Sequence, residues 1–237
     1  MAENKNNEAE ELEVQGVEVE ESASEQFVEN NAKKLGIIAG AAIVAIIGIV
    51  YYFNMSASSE ADDQKAIYPA QYYFGSDSLN LALFGDSTGD FSGFDELREE
   101  LQTSKVKNLN YFYIGAINLQ NGDFEVAIEY LEDFSSSSDL VQARANALLG
   151  DAYMELAEVE PSNYSSAISN YEKAATTGVN SAFTPGYLLK LALAYELNGQ
   201  DGDAISTYDK VIDNYASGQE VLDAKKYKAV LEAKKNS

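Results

Sequence analysis

The chain lacks cysteine and histidine altogether, and it also lacks tryptophan. Without cysteine and histidine it cannot form a disulfide, a zinc site of the usual Cys/His type, or the Ser-His-Asp and Cys-His groups of acyl-transfer enzymes. Positive charge is scarce, because 16 Lys and Arg stand against 39 Asp and Glu in 237 residues, a net charge of −23. Since a polyanion of this size repels phosphates, no nucleic-acid partner is expected, and no pattern points to a metal or a cofactor.

The composition that remains is that of a folded protein with an uneven distribution of charge. Hydrophobic residues make up 46% of the chain, with 16 Tyr and 10 Phe available for packing. Residues 1–34 carry ten Glu and three Lys, with much Asn, Ser and Gln. Such a stretch buries too little apolar surface to offset its chain entropy, so we expect a disordered acidic tail. The alternative is a docking segment for a basic partner.

Residues 35–53 form an uncharged apolar run, LGIIAGAAIVAIIGIVYYF. As a helix its 19 residues span roughly 28 Å, about the thickness of the hydrocarbon core of a bilayer. The run therefore predicts a transmembrane helix with the lipid bilayer as its surroundings. Gly36 and Gly40 form a G-x-x-x-G pair that allows close packing on another helix, although a span this rich in small residues matches the pattern easily.

The charges beside this run predict its orientation. Lys33 and Lys34 precede it, whereas Glu60, Asp62 and Asp63 follow it. The positive-inside rule then places the amino terminus in the cytoplasm and the carboxy-terminal domain on the other side. A cleaved signal peptide is the alternative, but a 34-residue acidic leader and a 19-residue core are both long for one.

Residues 106–216 contain an internal repeat with small and aromatic residues at equivalent positions. The pattern resembles the tetratricopeptide repeat, a helix–turn–helix unit of about 34 residues. Three helix pairs of this kind predict an all-α fold, a transmembrane helix followed by an α-solenoid. The stretches that align are Tyr111-x-x-Ile114-Gly115 with Gly122-x-Phe124-x-x-Ala127, Leu149-Gly150-x-x-Tyr153 with Tyr164-x-x-Ala167-x-x-x-Tyr171, and Leu191-Ala192-x-x-Tyr195 with Ala204-x-x-x-Tyr208.

The segments on either side of the repeats are expected to close the ends of the solenoid. Residues 54–105 predict an atypical helical region, in which Pro69 is expected to kink or break the first helix. Residues 217–237 predict a carboxy-terminal capping helix, because terminal units of a solenoid need an outer face that tolerates water.

The whole layout resembles the YfgM-like family of bacterial envelope proteins over roughly residues 33 to 215. The stretches YPAQYYFGSDSLNLALFGD, NYFYIGAINLQNGDFEVAIEYLEDF and FTPGYLLKLALAYELNGQ carry the resemblance. It implies a single-pass inner-membrane protein with a cytoplasmic amino terminus and a periplasmic repeat domain. It further implies an ancillary subunit of the SecYEG translocon that works beside a PpiD-type membrane-tethered peptidyl-prolyl isomerase. A scaffold of another envelope assembly, such as a cell-wall, division or secretion complex, is the alternative.

The inner face of the stacked helix pairs is the candidate partner-binding site. Its expected lining is apolar and acidic, without a lysine or asparagine clamp, and suits an apolar or basic segment. The alternative is that several of these residues only pack against the capping helices. The predicted groove residues are Phe112, Leu119, Gln120, Asp151, Met154, Glu155, Leu189, Leu193 and Glu196.

Catalysis is not expected. The catalytic class that the residue types permit is a hydrolase that uses paired Asp or Glu carboxylates. Two acidic pairs stand one helical turn apart, Asp151 with Glu155 and Glu129 with Asp133. Such pairs on a strongly acidic helical protein are usually part of a solvated face, so we expect no enzymatic activity.

Overall fold

The computed structural model describes residues 23–215 and 217–235, and in its first helix it describes side chains only at positions 31, 33 and from 41 onward. All ten helices of this part are α-helices and it contains no strand, which confirms the predicted all-α fold. The helices are α1 (Ala23–Gly75), α2 (Leu79–Phe84), α3 (Phe94–Glu100), α4 (Ser104–Asn121), α5 (Phe124–Asp133), α6 (Asp139–Ala157), α7 (Asn163–Thr176), α8 (Thr184–Leu197), α9 (Asp201–Asn214) and α10 (Gln219–Lys235).

The chain divides into two compact units, Met1–Met55 and Ser56–Ser237. The described part of the first unit is the amino-terminal portion of α1. The second unit contains the rest of α1 and all the other helices.

Helix α1 corrects two expectations. Residues 23–34, expected to belong to a disordered tail, are helical, because the apolar run forms a helix onto which residues such as Ala, Glu, Gln and Lys add hydrogen-bonded turns at little cost. The remainder of that tail lies outside the described residues. Of the kink or break expected at Pro69, the break is absent, because the helix continues through this residue. Proline removes the partner of the Lys65 carbonyl, and Lys65 is exposed, so water can satisfy this group.

The apolar stretch of α1 has large hydrophobic side chains on every side. Ile43, Val44, Ile46 and Ile47 all expose more than half of their surface, and their consecutive positions point around the whole helix. Among the residues searched, α1 is the one helix long and apolar enough to cross a membrane. The structure thus places a candidate membrane helix where the sequence predicts one. The predicted packing residues Gly36 and Gly40 lie outside the part of α1 whose side chains are described.

The carboxy-terminal end of α1 packs with α2, α3 and α4 in the second unit. Ile67 of α1 and Phe94 and Leu97 of α3 are fully buried there. Asp63 of α1 is buried as well, and its carboxylate accepts hydrogen bonds from the Thr103 N–H and Oγ1 at 2.6 Å each and from the Gln102 N–H at 3.1 Å. Because Thr103 is the residue before α4, Asp63 fixes the start of the first helix pair.

We expect the substitution Asp63→Asn to lower the free energy of unfolding by about 2 kcal/mol, because it turns one acceptor into an amide donor that faces backbone donors. For a domain of this size that corresponds to a fall in Tm of about 4–8 °C. Thermal unfolding of the detergent-solubilised full chain measures it. Asp62→Asn is the control, since Asp62 is exposed; equal Tm values for the two variants would contradict the role of Asp63.

The same carboxylate makes stability depend on pH. Burial raises the pKa of Asp63, but the hydrogen bonds from Thr103 and Gln102 lower it by more, so this pKa lies below its ordinary value. The stabilisation is therefore complete above the unfolded-state pKa of about 4 and is lost as pH falls towards the folded-state pKa. Between about pH 5 and pH 3, wild type should lose more stability than Asp63→Asn; parallel curves from unfolding at a series of pH values would refute this.

Helices α4 to α9 form three successive pairs, α4 with α5, α6 with α7, and α8 with α9, and each helix also packs on the next one along the chain. Gly122 ends α4 in the left-handed conformation at φ +88°, which glycine adopts without steric cost. Helix α10 packs on α8 and α9 and buries Val221, Ala224 and Leu231. The predicted terminal helix thus lies against the third pair.

Candidate functional site

The first helices of the three pairs bring one stripe of side chains each to a common face, which we call the inner groove. On α6 the stripe runs through Leu140, Arg144, Asp151 and Glu155, whose spacings of four, seven and four residues keep them on one side of a helix. Helices α4 and α8 also supply lining residues at helical spacings, and these residues are named below with the cavities that they line. The inner groove contains two cavities, one at each end of these helices.

The cavity at the carboxy-terminal ends of α4 and α6, here the Asp151 cavity, has a volume of about 630 Å³. It brings together six of the nine predicted groove residues. Those six are Leu119, Gln120, Asp151, Met154, Glu155 and Leu193, and the rest of the lining is Asn121, Gly122, Phe124, Tyr171 and Lys190.

The other three predicted residues lie elsewhere. Phe112 lines the second cavity. Leu189 packs against the core of the second and third pairs, and the Glu196 carboxylate accepts a hydrogen bond from the Tyr208 hydroxyl at 3.5 Å.

A lysine inside the Asp151 cavity corrects the expectation of a lining that is only apolar and acidic. The Lys190 Nζ donates to both carboxylate oxygens of Asp151 at 2.7 Å, and the Tyr171 hydroxyl donates to Oδ1 at 2.7 Å. Lys190 stands three residues before the predicted Leu193, so helical spacing alone could have found it. The charge of Asp151 is therefore matched within the protein, and the acid left free to meet a partner is the exposed Glu155.

The Tyr171 phenol anchors this group of charges. Burial raises the pKa of Tyr171 far above its ordinary value, and the negative charge of Asp151 raises it further. Tyr171 thus remains a hydrogen-bond donor at every physiological pH. The paired acids considered for hydrolysis are not equivalent in this geometry, because Asp151 is held by two donors whereas Glu155, Glu129 and Asp133 are exposed.

The second cavity, here the Arg144 cavity, lies at the amino-terminal ends of α6 and α8 and has a volume of about 570 Å³. Of the residues that line this cavity, Phe112 is the one that the sequence analysis predicted for the groove. Its walls are apolar and aromatic around a single charged group. They comprise Leu109, Phe112, Tyr113, Leu140, Val141, Phe183 and Tyr187, and Arg144 supplies the charge.

A hydrogen bond recurs between successive pairs outside these cavities. The Tyr153 hydroxyl of the second pair donates to Glu132 of the first at 2.8 Å, and the Tyr195 hydroxyl of the third donates to Glu172 of the second at 2.6 Å. Burial and then the hydrogen bond to the neighbouring carboxylate raise the pKa of each tyrosine to about 12. The aromatic positions of the sequence repeat therefore make equivalent contacts in three dimensions.

A family model of the tetratricopeptide repeat matches residues 187–217. The match begins at Tyr187 in α8 and includes all of α9, so it falls on the third helix pair. The chain therefore contains a tetratricopeptide repeat, a unit that mediates protein–protein interactions. A search of curated proteins finds no match to the chain.

Proposed function

We propose that this protein is a non-enzymatic adaptor held in the bacterial inner membrane by α1, whose repeat domain in the periplasm binds protein partners at the SecYEG translocon. The inner groove carries the proposal, since it has two open cavities of several hundred cubic ångströms lined by apolar residues and a few charges. Pockets with convergent polar groups on apolar walls are typical of binding sites.

The span and its flanking charges support the location. Lys33 is exposed at the amino-terminal side of the apolar stretch, and acidic residues follow that stretch. The resemblance to the YfgM-like family is the reason for naming the translocon and a PpiD-type isomerase as partners. A membrane-held adaptor of this kind would assist secreted chains as they emerge.

Site-specific photo-crosslinking in cells tests the proposed partners. We expect a photoreactive phenylalanine at Leu193, a half-exposed wall of the Asp151 cavity, to capture a SecYEG subunit or the tethered isomerase. Val230 on α10 is the matched control, because it is exposed but belongs to neither cavity. Crosslinks at Leu193 only to a cell-wall or division protein would replace the export role with the alternative scaffold. Equal products at both positions would refute binding in the groove.

Protease added to intact spheroplasts tests the orientation. Under the proposed topology the repeat domain is digested and the amino-terminal residues are spared. Digestion of the amino terminus with protection of the repeats would overturn the topology. A lysed sample, in which both parts are cleaved, shows that each part is a substrate for the protease.

A further inference from the structure

The Arg144 cavity contains two polar groups that the protein leaves without partners. Arg144 is exposed at its edge and has no ion pair or hydrogen bond within the described part of the chain. The Tyr187 hydroxyl likewise has no hydrogen-bond partner among the described residues. The chain's other arginine, Arg98, contrasts with this, because it donates to the Tyr130 hydroxyl and pairs with Glu99.

Tyr187 is influenced by one charged residue from each cavity. Burial raises the pKa of Tyr187, the positive charge of Arg144 lowers it, and the negative charge of Asp151 raises it. Tyr187 thus lies within electrostatic reach of both charges. Because Lys190 already neutralises Asp151, the guanidinium of Arg144 is left to attract an anion at the other end of the groove.

We infer that the Arg144 cavity recognises an extended segment of a partner protein in which an aromatic or aliphatic side chain stands beside a carboxylate. The apolar side chain enters between Phe112, Phe183 and Leu140, and the carboxylate pairs with Arg144. This inference rests on the proposed function, since it specifies the chemistry of a partner that binds in the inner groove. In a chain with a net charge of −23, an acidic partner segment needs such a local cation to overcome general repulsion.

The shape of the cavity favours a chain segment over a free fatty acid. Sites for small molecules enclose most of their ligand. Here two walls, Leu140 and Phe183, are themselves about half exposed. Beyond this cavity the α6 stripe runs on from Arg144 to Glu155 in the Asp151 cavity, eleven residues or roughly 16 Å of helix. An extended peptide covers that distance with about five residues, so one segment reaches both cavities.

Three synthetic peptides test the inference on the full chain in nanodiscs of zwitterionic lipid. Each is ten residues long, labelled with a dye, and carries Phe-Leu-X-Phe between Ser/Gly flanks, where X is Glu, Gln or Lys. Fluorescence anisotropy measures their affinities for wild type, R144Q, R144E and the control K225Q, which removes an exposed positive charge on α10. Sodium laurate, added as a competitor, represents the free fatty acid.

Wild type and K225Q should bind the Glu peptide about tenfold more tightly than the Gln peptide, which is the size expected for one charge-assisted pair. R144Q should abolish this difference, and R144E should prefer the Lys peptide. F183A should weaken the Glu and Gln peptides alike, because Phe183 forms the apolar wall. The reversed preference in R144E depends on a native groove, so it excludes misfolding as the cause.

Three results would overturn the inference. These are equal affinity of wild type for the Glu and Gln peptides, discrimination that survives in R144Q, and absence of peptide binding together with Arg144-dependent binding of laurate. None of them bears on whether Leu193 crosslinks to the translocon, so this inference and the proposed function fail separately.

Discussion

Replacing Gly150 with valine is expected to destabilise the repeat domain by about 3 kcal/mol, which corresponds to a fall in Tm of about 6–12 °C for a domain of this size. The Tyr171 ring lies so close to Gly150 that a Cβ there would be 2.5 Å from two ring carbons. The ring is buried and cannot move aside freely, because its hydroxyl is bonded to Asp151.

The substitution should weaken partner binding in the inner groove as well as lower the stability of the domain. A displaced Tyr171 no longer donates to Asp151, which then depends on Lys190 alone for its position. We therefore expect Gly150→Val to lower the crosslinking yield at Leu193 even at temperatures where the domain is folded. Thermal unfolding of the detergent-solubilised chain and crosslinking in cells measure the two effects.

Gly186→Val is the matched control, since Gly186 is also in a helix and a Cβ at this position would have no neighbouring atom within 4 Å. There the β-branched residue should raise stability by a few tenths of a kcal/mol through helix propensity. The variant combining Gly150→Val with Tyr171→Ala should be about as stable as Tyr171→Ala alone, because the ring that causes the clash is gone. Additive losses in this double variant would show that the ring contact is not the cause.

The helix pairs were predictable because their signals are local. Spacings of three and four residues and turn glycines such as Gly122 depend only on neighbours in the sequence. The course of α1 was not predictable in the same way. Its continuation through Pro69 rests on the burial of Ile67 and Ala70 against α2 to α4, and such tertiary packing leaves no periodic signal of its own.

Helical spacing predicts which residues share the face that lines the groove, but it does not predict which of the charged residues there are paired. Residues such as Leu119 and Met154 follow from the periodicity of the first helices. Whether Lys190 and Arg144 are simply solvated or take part in a site depends on which side chains oppose them across neighbouring helices. Asp151 opposes Lys190, whereas no described acid pairs with Arg144. The repeat pattern contains no information about that difference, because it constrains only the small and aromatic positions.

Replacing Ile46 and Ile47 together with aspartate is expected to release the protein from the membrane. The ten Leu, Ile, Val and Phe residues of the predicted span contribute roughly −3 to −6 kcal/mol towards insertion. Two aspartates near its centre cost roughly 5–7 kcal/mol and also remove two isoleucines. The balance therefore changes sign. Extraction of membranes with alkaline carbonate measures the result, with wild type in the pellet and the variant in the supernatant.

The control is a variant with two aspartates at hydrophobic positions that are equally exposed but lie in the folded domain. Leu222 and Val230 on α10 are each 61% exposed, which matches Ile46 at 59% and Ile47 at 62%. Since α10 lies in the folded domain, aspartate at Leu222 and Val230 should meet water and leave the protein in the pellet. A carbonate-resistant Ile46/Ile47 variant would refute the span. Release of both variants would mean that added negative charge, and not loss of an apolar helix from lipid, detaches the chain.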